Sequence, residues 1–187
     1  MKILIVDNFD SFTHNLFHIV KEFCNNVVVK RNNELNQLNI NNFDKIILSP
    51  GPGLPTHSGE MKQLISDYSL KKSILGICLG HQALADSYGL KLFNLRNVKH
   101  GVQSTLTYFD KDDYIFSGIS SPIQVGHYHS WVINSKNNFE NWNIIAKTNN
   151  MIMGISHKKL DLKGLQFHPE SILTPFGKKM IKNWINY

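Results

Sequence analysis

Four short apolar runs constrain the fold of this chain more than any other feature of its sequence. They are KILIV, NVVVK, DKIILS and SILGI, at residues 2–6, 26–30, 44–49 and 73–77. Continuous apolar runs of this length are typical of strands that are buried on both faces of a parallel sheet. The order β-α-β-β-α-β-α across residues 2–88 therefore predicts an α/β fold with a mostly parallel central sheet flanked by helices.

Helical periodicity appears in the segments that follow the apolar runs. After the first run, apolar side chains recur every three or four positions, as in an amphipathic helix. Asp10 or Ser11 precedes them and has a side chain suited to cap the start of that helix. Further helices are predicted over residues 59–69, 79–88 and 175–185.

Beyond Gly89 the pattern changes to short strand-like pieces, which fit antiparallel or mixed additions to the parallel core. These pieces cover residues 90–93, 102–108, 123–125, 131–133, 143–147, 151–156 and 163–167. Because no repeat and no linker-like stretch divides the chain, we expect one domain over residues 1–187.

Composition and charge exclude several classes of protein. Hydrophobic residues make up 42% and charged residues 18%, which is ordinary for a globular protein. No apolar run is long enough for a membrane span, and the apolar start is too short for a signal peptide, so we expect a cytoplasmic protein without a membrane partner. The formal net charge is +6, but the lysine pairs are scattered, so nucleic acid is not an expected partner.

The two cysteines, Cys24 and Cys78, are expected to be free thiols in a reducing compartment. No CxxC pair and no Cys/His cluster has the spacing of zinc ligands. We therefore expect neither a metal nor a cofactor.

Cys78 lies in the turn GICLG, residues 76–80, between a predicted strand and a predicted helix. This is the thiol form of a nucleophile elbow, in which glycines let a strained turn pass close to its neighbours. Ligands of open parallel sheets bind at the carboxyl ends of strands, and the dipole of the following helix favours thiolate over thiol. The turn predicts a nucleophile, with a small buried core residue as the alternative interpretation of Cys78.

The segment GLQFHPES, residues 164–171, offers a base and a carboxylate that orients it. His168 follows a strand-like stretch, and Glu170 lies two positions further on, beyond Pro169. Side chains on either side of a rigid proline can approach each other, so Glu170 can hold the imidazole in one tautomer. A surface histidine beside a surface glutamate is the alternative.

An acyl-transfer site also needs N–H donors for the oxyanion. The backbone amide of Leu79, next to the candidate nucleophile, is the usual first donor. The segment SPGPG, residues 49–53, offers a second, because Gly51 and Gly53 expose amides that no side chain blocks. A stiff loop without a ligand is the alternative interpretation of that segment.

SPGPG, GICLGHQ and GLQFHPES together resemble the three signature stretches of class I (triad-type) glutamine amidotransferases. The opening VDNFDSFTHNL, residues 6–16, is similar to the glutaminase subunit of anthranilate synthase and of its sister, aminodeoxychorismate synthase. YHSW, residues 128–131, also matches. The resemblance runs nearly end to end and implies a flavodoxin-like fold with added antiparallel strands.

The resemblance implies a role for each matching residue. Cys78 matches the nucleophile that takes the γ-glutamyl group, His168 its general base, and Glu170 the residue that orients the base. Gly51 and Leu79 match the oxyanion donors. The remaining residues matched to the glutamine pocket are Pro52, Gly53, Gln82, Ser130 and Trp131.

The implied reaction is hydrolysis of L-glutamine through a thioester on Cys78, with ammonia passed to a larger, chorismate-binding synthase subunit. YHSW and ESILTPFGKKMIKNW, residues 170–184, resemble the anthranilate synthase version more, which serves tryptophan synthesis. The alternative is the aminodeoxychorismate synthase of folate synthesis. Two other classes stay open: a stand-alone γ-glutamyl cysteine hydrolase, and a non-enzymatic subunit that has kept the fold.

Overall fold

A computed structural model describes residues 1–187. The strands are β1 (Ile3–Asp7), β2 (Val27–Arg31), β3 (Lys45–Leu48), β4 (Ser73–Ile77), β5 (Leu92–Thr105), β6 (Tyr108–Phe109), β7 (Gln124–Ile133), β8 (Trp142–Thr148), β9 (Met151–His157) and β10 (Leu162–Leu165). The α-helices are α1 (Phe12–Lys21), α2 (Met61–Tyr68), α3 (Leu79–Ser87) and α4 (Gly177–Asn186). Single 3-10 turns cover Leu35–Gln37, Ile40–Asn42, Pro55–His57 and Tyr114–Phe116.

Eight strands form one sheet in the order β2-β1-β3-β4-β10-β9-β8-β6. Neighbours from β2 to β10 run parallel, and neighbours from β10 to β6 run antiparallel. The predicted α/β fold with added antiparallel strands is thus confirmed. The carboxyl ends of β1, β3, β4 and β10 meet at one edge, which is where ligands bind in sheets of this kind.

The parallel strands are buried on both faces, as their continuous apolar runs predict. Ile3 and Ile5 belong to one apolar cluster, whereas Leu4 and Val6 belong to another. Successive strand side chains point to opposite faces, so the two clusters lie on the two sides of the sheet. The first cluster includes side chains of α1 and α4, and the second includes side chains of α2 and α3.

The predicted helices are confirmed within a few residues. The helix predicted over 59–69 spans Met61–Tyr68. At the start of α1, the Asp10 carboxylate accepts a hydrogen bond from the Phe12 amide at 2.8 Å, whereas Ser11 makes no side-chain cap. No helix combines the length and the apolar character that crossing a bilayer requires.

The antiparallel part differs from the prediction in the length of two strands. The pieces predicted at 90–93 and 102–108 overlap the two ends of one strand, β5, and those at 123–125 and 131–133 overlap the two ends of β7. These two strands pair with each other as a separate antiparallel sheet, here called the β5–β7 ribbon. Most of β5 is exposed and its register shifts twice, so no apolar alternation marks the strand in the sequence.

Candidate active site

Cys78 occupies a strained turn between β4 and α3. Its φ of 50° and ψ of −100° lie where residues other than glycine are rarely found. A Cβ on Gly76 would lie 2.4 Å from the Gly80 backbone, and a Cβ on Gly80 would lie 2.3 Å from the Leu48 carbonyl oxygen. Strand and helix therefore approach each other more closely than any side chain allows, and the predicted nucleophile elbow is present.

A cavity of about 140 Å³ lies over this turn and brings together segments that are distant in the sequence. It is smaller than the pockets of about 300–1,000 Å³ that hold drug-sized ligands, so it suits a small substrate. Of the residues predicted to bind glutamine, only Leu79 is not in its lining, and the predicted catalytic residues His168 and Glu170 lie outside the lining as well. The lining consists of Gly51, Pro52, Gly53, Cys78, Gln82, Tyr128, His129, Ser130 and Trp131.

His168 and Glu170 form a buried pair in the segment after β10. Nδ1 of His168 lies 2.7 Å from Oε1 of Glu170, and their side chains are 2% and 0% exposed. This burial rules out the alternative of a surface histidine beside a surface glutamate. Because Nδ1 is held by the carboxylate, the other ring nitrogen, Nε2, is left to face a reaction partner.

The charge state of His168 is set by opposing effects. Burial lowers its pKa, but pairing with Cys78 and with Glu170 outweighs burial and raises the pKa to about 10. Nε2 of His168 has no hydrogen-bond partner of ordinary geometry. The Cys78 side chain is nevertheless near enough to raise the pKa of the imidazole. At neutral pH the site therefore favours an imidazolium beside Cys78.

Two aromatic rings hold the imidazole from its other sides. The ring centroid of His168 lies 5.2 Å from that of Phe12 and 4.9 Å from that of Tyr128. The backbone amide of His168 also donates to the Gly126 carbonyl at 3.0 Å. Both rings lie in segments that carry the family resemblance, 6–16 and 128–131, but the sequence predicted no role for either of them in the site.

The loop that carries the candidate oxyanion donor is anchored by Asn8, which the sequence analysis missed. The amide of Asn8 donates to Ser49 Oγ, and its Nδ2 donates to the Ser49 carbonyl, both at 2.9 Å. A Cβ on Gly51 would lie 2.5 Å from Cβ of Asn8 and 2.8 Å from Cδ2 of Leu79. Gly51 thus lies against the first residue of α3, whose amide has no partner within the helix.

Gln82 connects α3 to the ribbon. Its Nε2 donates to the Trp131 carbonyl at 2.9 Å and to Oε1 of Gln166 at 3.2 Å. In turn, Nε2 of Gln166 donates to the Cys78 sulfur at 3.6 Å. Gln166 was not singled out from the sequence, although it lies in the same GLQFHPES segment as His168.

Three further histidines near the site are neutral at physiological pH. Burial lowers the pKa of His81 to about 3, of His127 to about 4 and of His129 to about 3. His127 and His129 are joined at 3.2 Å between ring nitrogens, and Ser104 Oγ lies 2.6 Å from the other nitrogen of His127. Their neutrality distinguishes them from His168, which carries the positive charge of the site.

A strained cysteine at a strand-to-helix turn, faced by a buried His–Glu pair, is typical of enzymes that transfer acyl groups through a thiol. The family model described as "Glutamine amidotransferase class-I" matches residues 4–186. The chain belongs to the class I glutamine amidotransferase family.

Relatives agree with this assignment, and a solved structure shows the same fold. The chain is 41% identical over 188 residues to anthranilate synthase component 2 of Porphyra purpurea, covering 98% of each chain. It is 38% identical over 187 residues to aminodeoxychorismate synthase component 2 of Escherichia coli, covering 98% of this chain and 99% of the relative. The fold matches a glutamine amidotransferase from Thermotoga maritima with a TM-score of 0.78 at 18% identity, covering 100% of this chain and 81% of that one.

Proposed function

We propose that this chain is the glutaminase subunit of anthranilate synthase, which hydrolyses L-glutamine and delivers ammonia to a larger, chorismate-binding synthase subunit. The observation that carries the proposal is the Cys78 elbow, which opens on a small cavity beside the buried His168–Glu170 pair. Two relatives of nearly equal length are named as second components of synthases, which supports a partner subunit.

In the first half-reaction, the Cys78 thiolate attacks the carboxamide carbon of glutamine and a C–S bond forms. The oxygen becomes an oxyanion, and we assign the amides of Leu79 and Gly51 as its hydrogen-bond donors. The C–N bond then breaks as the His168 imidazolium gives its Nε2 proton to the leaving nitrogen, which departs as ammonia. Glu170 keeps the ring in one tautomer throughout.

In the second half-reaction, water attacks the γ-glutamyl thioester. The neutral imidazole of His168 takes a proton from this water, a C–O bond forms, and the C–S bond breaks to restore the thiolate and the imidazolium. The sum is glutamine plus water to glutamate plus ammonia. Gln82, Ser130, Trp131, Pro52 and Gly53 form the part of the cavity that receives the amino-acid end of the substrate.

Ammonia released to neutral water becomes ammonium, which is not a nucleophile, so direct delivery to a synthase subunit suits the chemistry. The segments 128–131 and 170–184 favour the anthranilate synthase partner. The aminodeoxychorismate synthase partner is the second candidate, because a relative with that name is 38% identical over nearly the whole chain. A pull-down from the native cell, followed by product analysis with chorismate and glutamine, separates these two partners.

The decisive experiment is Cys78→Ser, assayed in the complex with glutamine and with ammonium salts as separate nitrogen sources. We expect glutamine-dependent synthesis to disappear while ammonia-dependent synthesis persists, since only the nucleophile is lost. Cys24→Ser is the matched control, because Cys24 is the other buried free thiol and lies outside the cavity. Loss of both activities in Cys78→Ser would show that the cysteine is structural.

A further inference from the structure

We propose that Gln166 is a positioning residue of this site: its amide donates to the Cys78 sulfur and fixes the amide of Gln82 so that Gln82 presents its carbonyl oxygen to the substrate. The inference rests on the proposed function, since it assigns Gln166 a part in preparing the nucleophile and the glutamine pocket. It concerns a residue that has no direct place in the cavity lining.

Both ends of the Gln166 side chain are engaged. The residue is fully buried directly after β10, and its backbone amide donates to the Met153 carbonyl at 2.9 Å. Nε2 donates to the sulfur of Cys78, and Oε1 accepts from Gln82. A rotation of this amide by half a turn would set its NH2 group against the NH2 group of Gln82, so the backbone and these two partners define one orientation.

The Trp131 carbonyl and Oε1 of Gln166 together fix the orientation of the Gln82 amide. Nε2 of Gln82 donates to two oxygens, the Trp131 carbonyl and Oε1 of Gln166, whereas Oε1 of Gln82 makes no hydrogen bond within the chain. Because Gln82 lines the cavity, this oxygen is the group available to a ligand. A carbonyl oxygen is an acceptor, and the α-ammonium group of an amino acid is a cationic donor, so the two are complementary.

Gln166 also acts on the nucleophile without adding charge. His168 after β10 pairs with the sulfur and has Glu170 behind it. His129 on β7 lines the cavity with Cys78, and His81 follows on α3. His81 and His129 are neutral at physiological pH because burial lowers the pKa of each to about 3. His168 therefore supplies the positive charge beside the sulfur, and the amide of Gln166 supplies a neutral hydrogen-bond donor to it.

Two substitutions separate the contributions of Gln166. Gln166→Glu keeps an acceptor for Gln82 but replaces the donor to the sulfur with a carboxyl group. Gln166→Met has a similar length and keeps neither group. Gln37→Glu is the matched control, because Gln37 is exposed on a 3-10 turn and its side chain makes no hydrogen bond.

Two measurements on the full-length chain test the contributions of Gln166 to the nucleophile and to glutamine binding. The first is the rate of Cys78 alkylation by iodoacetamide as a function of pH, followed by mass spectrometry of the peptide that contains Cys78. The second is the glutamine concentration that halves this rate at fixed pH. Neither measurement requires the synthase subunit.

For Gln166→Glu we expect the midpoint of the alkylation profile to rise by about one pH unit, because a carboxylate and a thiolate in contact disfavour each other's ionisation. Protection by glutamine should stay within about twofold of the wild type, since the acceptor for Gln82 is kept. For Gln166→Met we expect protection to weaken about tenfold, with a smaller rise in the midpoint. The Gln37→Glu control should match the wild type in both measurements.

Wild-type values for both variants in both measurements would overturn the inference. A uniform change in both measurements for both variants would overturn it as well, because it would indicate general loosening of the site. The proposed function fails separately: a wild-type Cys78 that is inert at neutral pH and unprotected by glutamine would refute the glutaminase assignment itself.

Discussion

The parallel strands and the β5–β7 ribbon contribute different parts of the site. The elbow at the end of β4 and the His–Glu pair after β10 lie on elements that are buried on both faces. The ribbon contributes Tyr128, His129, Ser130 and Trp131 to the cavity, yet most of its other strand is exposed. The groups assigned to the chemical step are therefore placed by the buried core, whereas part of the group assigned to substrate recognition, Ser130 and Trp131, lies on a more exposed element.

Substitutions in the two regions should differ most in their effect on turnover. We expect His168→Ala to lower the glutaminase kcat by about a thousandfold or more, because it removes the proton donor and acceptor. Glu170→Ala should lower kcat by a smaller factor, since Glu170 orients the ring and does not transfer the proton. In the ribbon, Tyr128→Phe removes only a hydroxyl 3.2 Å from Ser171 Oγ and should change kcat by less than about fivefold.

Steady-state kinetics of the complex with glutamine measure all three variants. A loss in Tyr128→Phe as large as that in His168→Ala would refute the division between the regions. A larger loss in Glu170→Ala than in His168→Ala would reverse the roles assigned to the pair.

Glycine substitutions compare the packing of the two regions. Gly80→Ala in α3 would place a Cβ 2.3 Å from the Leu48 carbonyl oxygen, and we expect a loss of about 3 kcal/mol or more in the free energy of unfolding. Gly101→Ala in the ribbon has open space, with its nearest neighbour 4.0 Å away, but a φ of +66°. Gly101→Ala should lower the free energy of unfolding by about 1 kcal/mol, because an alanine is strained in a left-handed backbone conformation.

Urea unfolding followed by circular dichroism measures both glycine variants. An equal loss of unfolding free energy in Gly80→Ala and Gly101→Ala would show that the elbow tolerates displacement of the strand from the helix. If Gly80→Ala does not fold, the amount of soluble chain relative to Gly101→Ala provides the comparison.

The pH dependence of stability should have opposite signs for His127 in the ribbon and His168 after β10. His127 in the ribbon has its pKa lowered from 6.5 to about 4, chiefly by burial, so the unfolded chain binds a proton first and stability falls as the pH drops from about 6.5 towards 4. His168 has its pKa raised from 6.5 to about 10. Its contribution is complete below pH 6.5 and is lost as the pH rises towards 10.

Urea midpoints across this pH range test the assignment. His127→Gln should flatten the acid side of the profile, and His168→Gln should flatten the alkaline side. The same flattening on one side in both variants would show that the two imidazoles are not in opposite charge states.

Local patterns account for what could be predicted about the fold. The apolar runs 2–6 and 73–77 predict buried parallel strands because two-sided burial requires apolar residues at successive positions. The ribbon was divided into shorter pieces because an exposed, bulged strand such as β5 carries no such pattern. Helix limits were correct to within a few residues, since periodicity is clear along a helix and weak at its ends.

The same contrast applies to the site. Cys78, His168 and Glu170 are marked by their immediate neighbours: glycines on either side of the cysteine, and a proline between the histidine and the glutamate. Asn8 and Gln166 have no such mark, because their roles depend on partners in other strands and loops. These residues could only be recognised once the order of the strands brought their partners together.

The sequence by itself therefore determined the α/β class, the elbow and the candidate catalytic residues, because backbone strain and burial are indicated by residues that are adjacent in the chain. Only the tertiary structure showed that His168 meets the cysteine, which histidines stay neutral and which way Gln82 faces. Those properties depend on distances between side chains of separate elements, and such distances are set by the order and register of the strands.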